Sequence, residues 1–278
     1  QYCWFVSALV VLFAAMLTSG IGTLGGLGGA IMLVPLLVLG GMTPAEVAPL
    51  GLLSVVVASS AAARRQMQEH TTNHRLGVVT ETASTAGAVA GALVAGAISE
   101  QALTITLAVV AMLAAVAGGR RKGMRWHPDD AAPQSAVGEW IGSMNGAYSL
   151  DGKVVPYRVR RIGSGLAAMV VSGVVTGISG VGGGFIKTPA SSEIMHAPVK
   201  VAASTTTFSI GITAAAALLV KIMNGKLDVS LGAAVVVGSF VGGLIGSRVQ
   251  ARMSPVRVRK FLSVLLIVIA AILVTRVV

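Results

Sequence analysis

The chain has a single cysteine, Cys3, in 278 residues. That excludes an internal disulfide and any cysteine-based metal cluster. Charged residues make up 11%, where a soluble domain carries about 25%. Aromatics are scarcer still, at 4%. The net charge of +11 would otherwise suggest nucleic acid, but no basic stripe interleaved with aromatics is present to hold it. No P-loop pattern (GxxxxGK followed by Ser or Thr) occurs, which argues against ATP hydrolysis within the chain. GIGTLG at Gly20–Gly25 has the GxGxxG form without a βαβ context, so it is not read as a dinucleotide site. Gly177–Gly180 has the GxSG form of a serine protease, but that chemistry needs a base at membrane depth. His70, His74, His127 and His196 all fall in or beside loops. Trp126, His127, Asp129 and Asp130 lack metal-ligand spacing and read as a solvated loop. No metal, no cofactor and no enzymatic activity are expected.

What the chain does have is apolar sequence, 54% hydrophobic by residue. Trp4–Gly20, Ala45–Ala63, Gly77–Ile98, Ala102–Gly118, Ile162–Ile178, Val201–Val220, Val229–Gly246 and Phe261–Val274 approach or exceed the length of a bilayer-spanning helix. Trp4–Gly20 has no basic leader and no clear cleavage site, so it reads as a mature segment. Lys and Arg collect in short loops between the runs, as the positive-inside bias predicts.

One apolar segment occurs twice. Gly26 to Pro35 reads GLGGAIMLVP and Gly180 to Pro189 reads GVGGGFIKTP, 154 positions apart. At the same offset Pro44, Val47 and Ala48 fall on Pro198, Val201 and Ala202; at an offset of 155, Gly77, Gly87, Gly91 and Ser99 fall on Gly232, Gly242, Gly246 and Ser254. The duplication divides the chain into a first membrane repeat (1–118), a connector (119–161) and a second membrane repeat (162–278). The connector holds Arg120, Arg121, Lys122, Arg125, Lys153, Arg158, Arg160 and Arg161, so it is placed in the cytoplasm. Around Asp151-Gly152 it has the look of a β-hairpin.

Charge also sets the relation of the halves. The turn at Ser99–Gln101 has no basic residue, whereas its counterpart at Arg248–Lys260 has five. Equivalent turns on opposite faces imply inverted repeats. Each half must then cross an odd number of times, so the segments around the glycines, Trp4–Met42 and Ile162–Met195, return to their starting side as hairpins. The expected fold is an all-α polytopic membrane protein of two inverted-topology repeats, each a glycine-broken helix hairpin plus three transmembrane helices. The two glycine tips should meet near the midplane. Lys221 and Lys226 fall on a turn placed outside, against the bias. Gly87 and Gly91, and Gly238, Gly242 and Gly246, have the four-residue spacing of close helix contacts.

A glycine break in matching apolar segments of two halves is a pointer to a transporter's binding site. Broken backbone presents N–H groups and a helix dipole that attract anions. The substrate-binding candidates are therefore Gly26, Gly28, Gly29, Gly180, Gly182, Gly183 and Gly184. Lys187 joins them, because a buried ammonium would be offset by an anionic substrate; its counterpart is Leu33. Ser204, Thr205 and Thr206 join as hydroxyl donors, although back-bonding to helix carbonyls explains such residues equally well. Ser54, Ser59 and Ser60 are weaker candidates. Glu193, His196 and Lys200 form either an interfacial ion cluster or a proton relay.

The glycine break followed by proline, the repeat, and VAASTTTFS at Val201–Ser209 resemble the TauE/SafE family of sulfite exporters. The likeness covers both halves and omits the connector. The first copy departs at Ala48–Leu52, which lacks the hydroxyls of Ala203-Ser204-Thr205. The resemblance implies a bacterial plasma (inner) membrane transporter of sulfite or organosulfonates, directed outward. Its partners would be a small anionic substrate and the lipid bilayer, with no nucleic acid; a homo-oligomer is compatible. A passive anion channel and an intramembrane serine protease are the competing readings.

Overall fold

A computed structural model of the chain describes residues 8–25, 28–68, 71–119, 137–150, 153–223 and 227–250. Gly26, the connector residues near Trp126 and His127, Lys226, the basic turn from Arg252 onward and the run Phe261–Val274 lie outside the described residues. The first half forms α1 (Ala8–Gly25), α2 (Ala30–Leu39), α3 (Pro44–Gln68), α4 (His74–Val94), which ends in a single turn Ala95–Ala97, and α5 (Glu100–Gly119). The second forms α6 (Ile162–Ser179), α7 (Gly184–Pro189), a π turn (Ala190–Ile194), α8 (Val199–Met223) and α9 (Val229–Gln250). Five described helices are long and apolar enough to cross a membrane: Pro44–Gln68, His74–Ala97, Ile162–Ser179, Val199–Met223 and Val229–Val249. Leu9, Phe13, Leu17, Leu93, Ile212 and Phe240 stand exposed on them or on α1, a surface suited to lipid and not to water. The chain is an all-α polytopic membrane protein with a small strand-built cap.

Helix starts follow local chemistry. α3 opens on Pro44, whose fixed φ and missing N–H suit the first helical position. Asn73 caps α4 by accepting from the Leu76 N–H at 2.9 Å. α1 runs five residues past the end of the apolar run at Gly20, through Gly25. Gly20 lies against Gly242 of α9, and Gly22 lies against the Gly28–Gly29 backbone. Packing on both sides therefore holds a glycine-rich segment helical, against its weak intrinsic propensity.

The glycine rows fix how the helices run. Gly238, Gly242 and Gly246 of α9 face Leu12, Met16 and Gly20 of α1 in ascending order, so these two helices are parallel. Gly87 and Gly91 of α4 face Val170 and Val174 of α6, which are parallel likewise. A Cβ at any of these glycines would collide with facing backbone, so close approach is their role. α4 and α8 are also parallel, with Asn73 bonded to Thr205 and Glu81 to Thr213, both 132 residues apart. α3 and α8 run oppositely. Ser59 meets Gly211, whereas Thr71, beyond the end of α3, meets Ser204, nearer the start of α8.

Within the connector, β1 (Gly138–Glu139), β2 (Gly146–Leu150) and β3 (Lys153–Tyr157) form an antiparallel sheet in the order β1-β2-β3. The expected hairpin is present, with Leu150 paired to Lys153 across the turn. Buried Tyr148 and Tyr157 form its core with Val201 of α8.

Candidate functional site

Each glycine break folds the chain back on itself. Gly28 and Gly182 both have φ +78, a left-handed conformation that an L side chain resists. Gly29 then lies against Ser19 of α1, and Gly183 against Ser172 and Thr176 of α6. The Ser172 hydroxyl donates to the Gly183 carbonyl at 2.8 Å, tying the second tip to α6. Gly180, with φ +71, ends α6 as its left-handed cap, its N–H donating to the Thr176 carbonyl. Gly184 opens α7.

The two tips share neighbours. A Cβ at Gly28 would meet Val55 and Ile210; a Cβ at Gly182 would meet the same two side chains. Val55 lies on α3 and Ile210 on α8, and both are buried. They stand 155 positions apart, the offset of the later part of the repeat. The breaks thus converge on one centre, filled in this conformation by an aliphatic pair.

Lys187 follows the second tip by one turn, with its N–H donating to the Gly183 carbonyl at 2.9 Å. Its side chain is 2% exposed and does not snorkel to an interface. The ammonium donates to both Glu81 oxygens at 2.8 Å and to Thr213 Oγ1 at 2.9 Å. Thr213 in turn donates its hydroxyl to Glu81 Oε1 at 2.6 Å. All three ammonium donors are occupied and the cluster is electrically neutral. Glu81 is the partner that the sequence reading missed. It stands inside the apolar run Gly77–Ile98, and an ionisable residue there is a functional candidate by position alone.

Buried hydroxyls surround both tips. Ser19, Ser54 and Ser239 close a ring of mutual hydrogen bonds at 2.9–3.0 Å. Ser209 and Ser84 are the repeat counterparts of Ser54 and Ser239, but Gly173 stands where Ser19 does. The second half therefore lacks the third hydroxyl, and the Ser84 hydroxyl is buried without a partner. Ser84 is one turn along α4 from Glu81. Ser59 and Ser60 back-bond to the Val56 carbonyl.

Ser204 and Thr205 lie away from the tips, under the cap. Ser204 accepts from Thr71 at 3.0 Å, and Thr205 accepts the Asn73 N–H at 2.9 Å. Thr206 is buried on the same turn. Asn73 also donates to Tyr157 at 2.9 Å and to the Met144 carbonyl at 2.8 Å, which anchors the cap to α4. Burial pushes the Tyr157 phenol up to about 12, with the Asn73 bond acting against the rise and the Glu139 charge adding to it. Between the cap and α4 an open pocket of ≈ 680 Å³ is lined by Val78, Val79, Met144 and Ile162, with His74 and Arg75. Lys221, expected on an outside turn, is a buried residue of α8. Glu193 and Lys200 are exposed and His196 is half-buried. Ser179, of the protease-like motif, back-bonds to the Val175 carbonyl at 2.7 Å. Among the described residues, no group of three or more His, Cys, Asp or Glu could hold a metal ion.

The family model described as sulfite exporter TauE/SafE matches residues 11–273. A probable membrane transporter protein of Bacillus subtilis, YunE, is 21% identical over 272 residues, which cover 95% of this chain and 96% of that protein. No solved structure matches.

Proposed function

Because the chain belongs to the TauE/SafE sulfite exporter family, we propose that it is a secondary transporter of small sulfur-containing anions, sulfite or organosulfonates, directed outward across a bacterial plasma membrane. The convergence of Gly28 and Gly182 on Val55 and Ile210 carries this reading. Irregular backbone at membrane depth is tolerated only inside protein or beside a cavity, and two such breaks on one centre form a shared point of access. Opposite directions for α3 and α8, with parallel α1·α9 and α4·α6 contacts exchanged between halves, support two inverted repeats. The connector, with its eight basic residues, then faces the cytoplasm.

Val55 and Ile210 act as the gate. A solute reaches Gly28, Gly29, Gly182, Gly183 and Gly184 when α3 and α8 separate at this pair. The opening N–H groups of α2 and α7 lack intrahelical acceptors, and they face the anion together with Lys187 and the unpartnered Ser84. Ser204 and Thr205 serve instead to hold on α8 the α3–α4 loop, whose Asn73 carries the cap. The test is uptake of radiolabelled sulfite by proteoliposomes of the purified protein. Unlabelled thiosulfate or sulfoacetate should compete, and chloride should not. Uptake equal to that of protein-free vesicles would refute the reading.

A further inference from the structure

Glu81 has no task in the scheme above, yet it determines what Lys187 can do. The side chains are 3% and 2% exposed, and their hydrogen bonds are with each other and Thr213. With every ammonium donor occupied, Lys187 has none for an anion. To engage one it must leave Glu81, and a lone carboxylate at that depth is strongly unfavourable. One proton on Glu81 removes the difficulty.

We propose that Glu81 is a proton-binding coupling residue: it takes up one proton when a monoanion such as bisulfite engages Lys187, and releases it when the anion leaves. This rests on the transporter reading. The charges balance in both states. The empty site holds an ammonium and a carboxylate; the loaded site holds an ammonium, a monoanion and a neutral carboxylic acid. Each has zero net charge, so each crosses the apolar interior without an uncompensated ion. Thr213 fits both. Its hydroxyl donates to the carboxylate now, and it can accept from the acid after rotating, since a hydroxyl serves in either role.

Among the described residues, no other charged side chain is hydrogen-bonded to the cluster. On α4, His74 and Arg75 sit at the cap end, His74 bonded to Glu139. On α8, Lys200 is exposed, and Lys221, two turns beyond Thr213, has an interaction of its own. Arg161 at the start of α6, Glu100 at the start of α5 and Glu193 after α7 are exposed. α4 and α8 are level at Asn73 and Thr205, so Glu81 lies eight residues, about 12 Å, inward along α4 from that level. The proton is therefore taken up inside the helix bundle.

The test separates exchange from net transport in proteoliposomes with radiolabelled sulfite, protein-free vesicles subtracted. Because proton and anion travel together, outward transport runs down the anion's own gradient and carries a proton out with it. In the wild type, a pH gradient imposed on the vesicles should drive the same symport and accumulate sulfite on the alkaline side, and a pH dye in the lumen should record protons entering with it. Glu81→Gln mimics the protonated acid permanently. It should retain sulfite-for-sulfite exchange within about twofold and lose gradient-driven accumulation by about tenfold or more, because exchange never requires the empty site, with its uncompensated ammonium, to cross. Wild-type uptake without proton movement would overturn the proposal, whatever the variant does. So would a Glu81→Gln protein that accumulates sulfite as the wild type does. Absence of wild-type exchange would instead refute the transporter reading beneath it.

Discussion

At the scale of residues, Lys187 and Glu81 form a buried ion pair, their side chains 2% and 3% exposed. Removing one partner strands the other. Lys187→Ala should lower unfolding stability in detergent by about 3–5 kcal/mol, because Glu81 stays buried and keeps only Thr213. Lys187→Met with Glu81→Leu removes both charges and should recover most of that loss. A Lys187→Ala protein as stable as wild type would show that Glu81 is neutral or hydrated. Lys187 was legible in the sequence because a charge three residues past Gly184 interrupts apolar residues. Its pairing was not: 106 positions separate Lys187 from Glu81, and the packing of both α4 and α7 against α8 brings them together. The Ser19–Ser54–Ser239 ring was equally hidden, since serines in apolar helices carry no pairing signal.

At the scale of elements, the breaks are determined by backbone conformation. Gly182→Ala places an L residue at φ +78, which costs roughly 1–2 kcal/mol, and sets a Cβ 3.0 Å from Val55 Cγ2. Val55→Ala in the same chain should relieve the contact and leave the backbone strain. Thermal unfolding should therefore rank wild type above the double variant and the double variant above Gly182→Ala alone. Equal stability of all three would mean that the tip is not held in this conformation. Gly28 and Gly182, which take φ +78, were visible in sequence as members of the repeated segment. The π turn after Pro189 was not visible. Proline lacks an N–H for the helical ladder, and the chain closes instead with the Met195 N–H on the Ala190 carbonyl at 3.0 Å. The hydrogen bonds of Ser204 and Thr205 were not legible either: hydroxyl residues near a helix start look the same whether they face a solute or a docked loop, and the α3–α4 loop that bonds them, at Thr71 and Asn73, is more than 130 positions away.

At the scale of the whole molecule, the duplication did most to reveal the architecture. A turn without basic residues at Ser99–Gln101, against five in its second-half counterpart, implied inversion, and the opposed directions of α3 and α8 agree with it. The closed centre was not foreseen, because residues such as Val55 and Ile210 are ordinary core residues by composition. In the proposed transporter, their place between two broken hairpins makes them the point through which the solute passes. Accessibility at Val55 therefore tests the account most directly. Val55→Cys is made in a Cys3→Ser background, with Ile141→Cys, 97% exposed in the connector, marking the connector's side. An anionic, membrane-impermeant thiosulfonate is applied to each face in turn. The account predicts that the Val55 position reacts from both faces and is protected by sulfite, while the Ile141 position reacts from one. Reaction at Val55 from neither face, or no protection by sulfite, would contradict it.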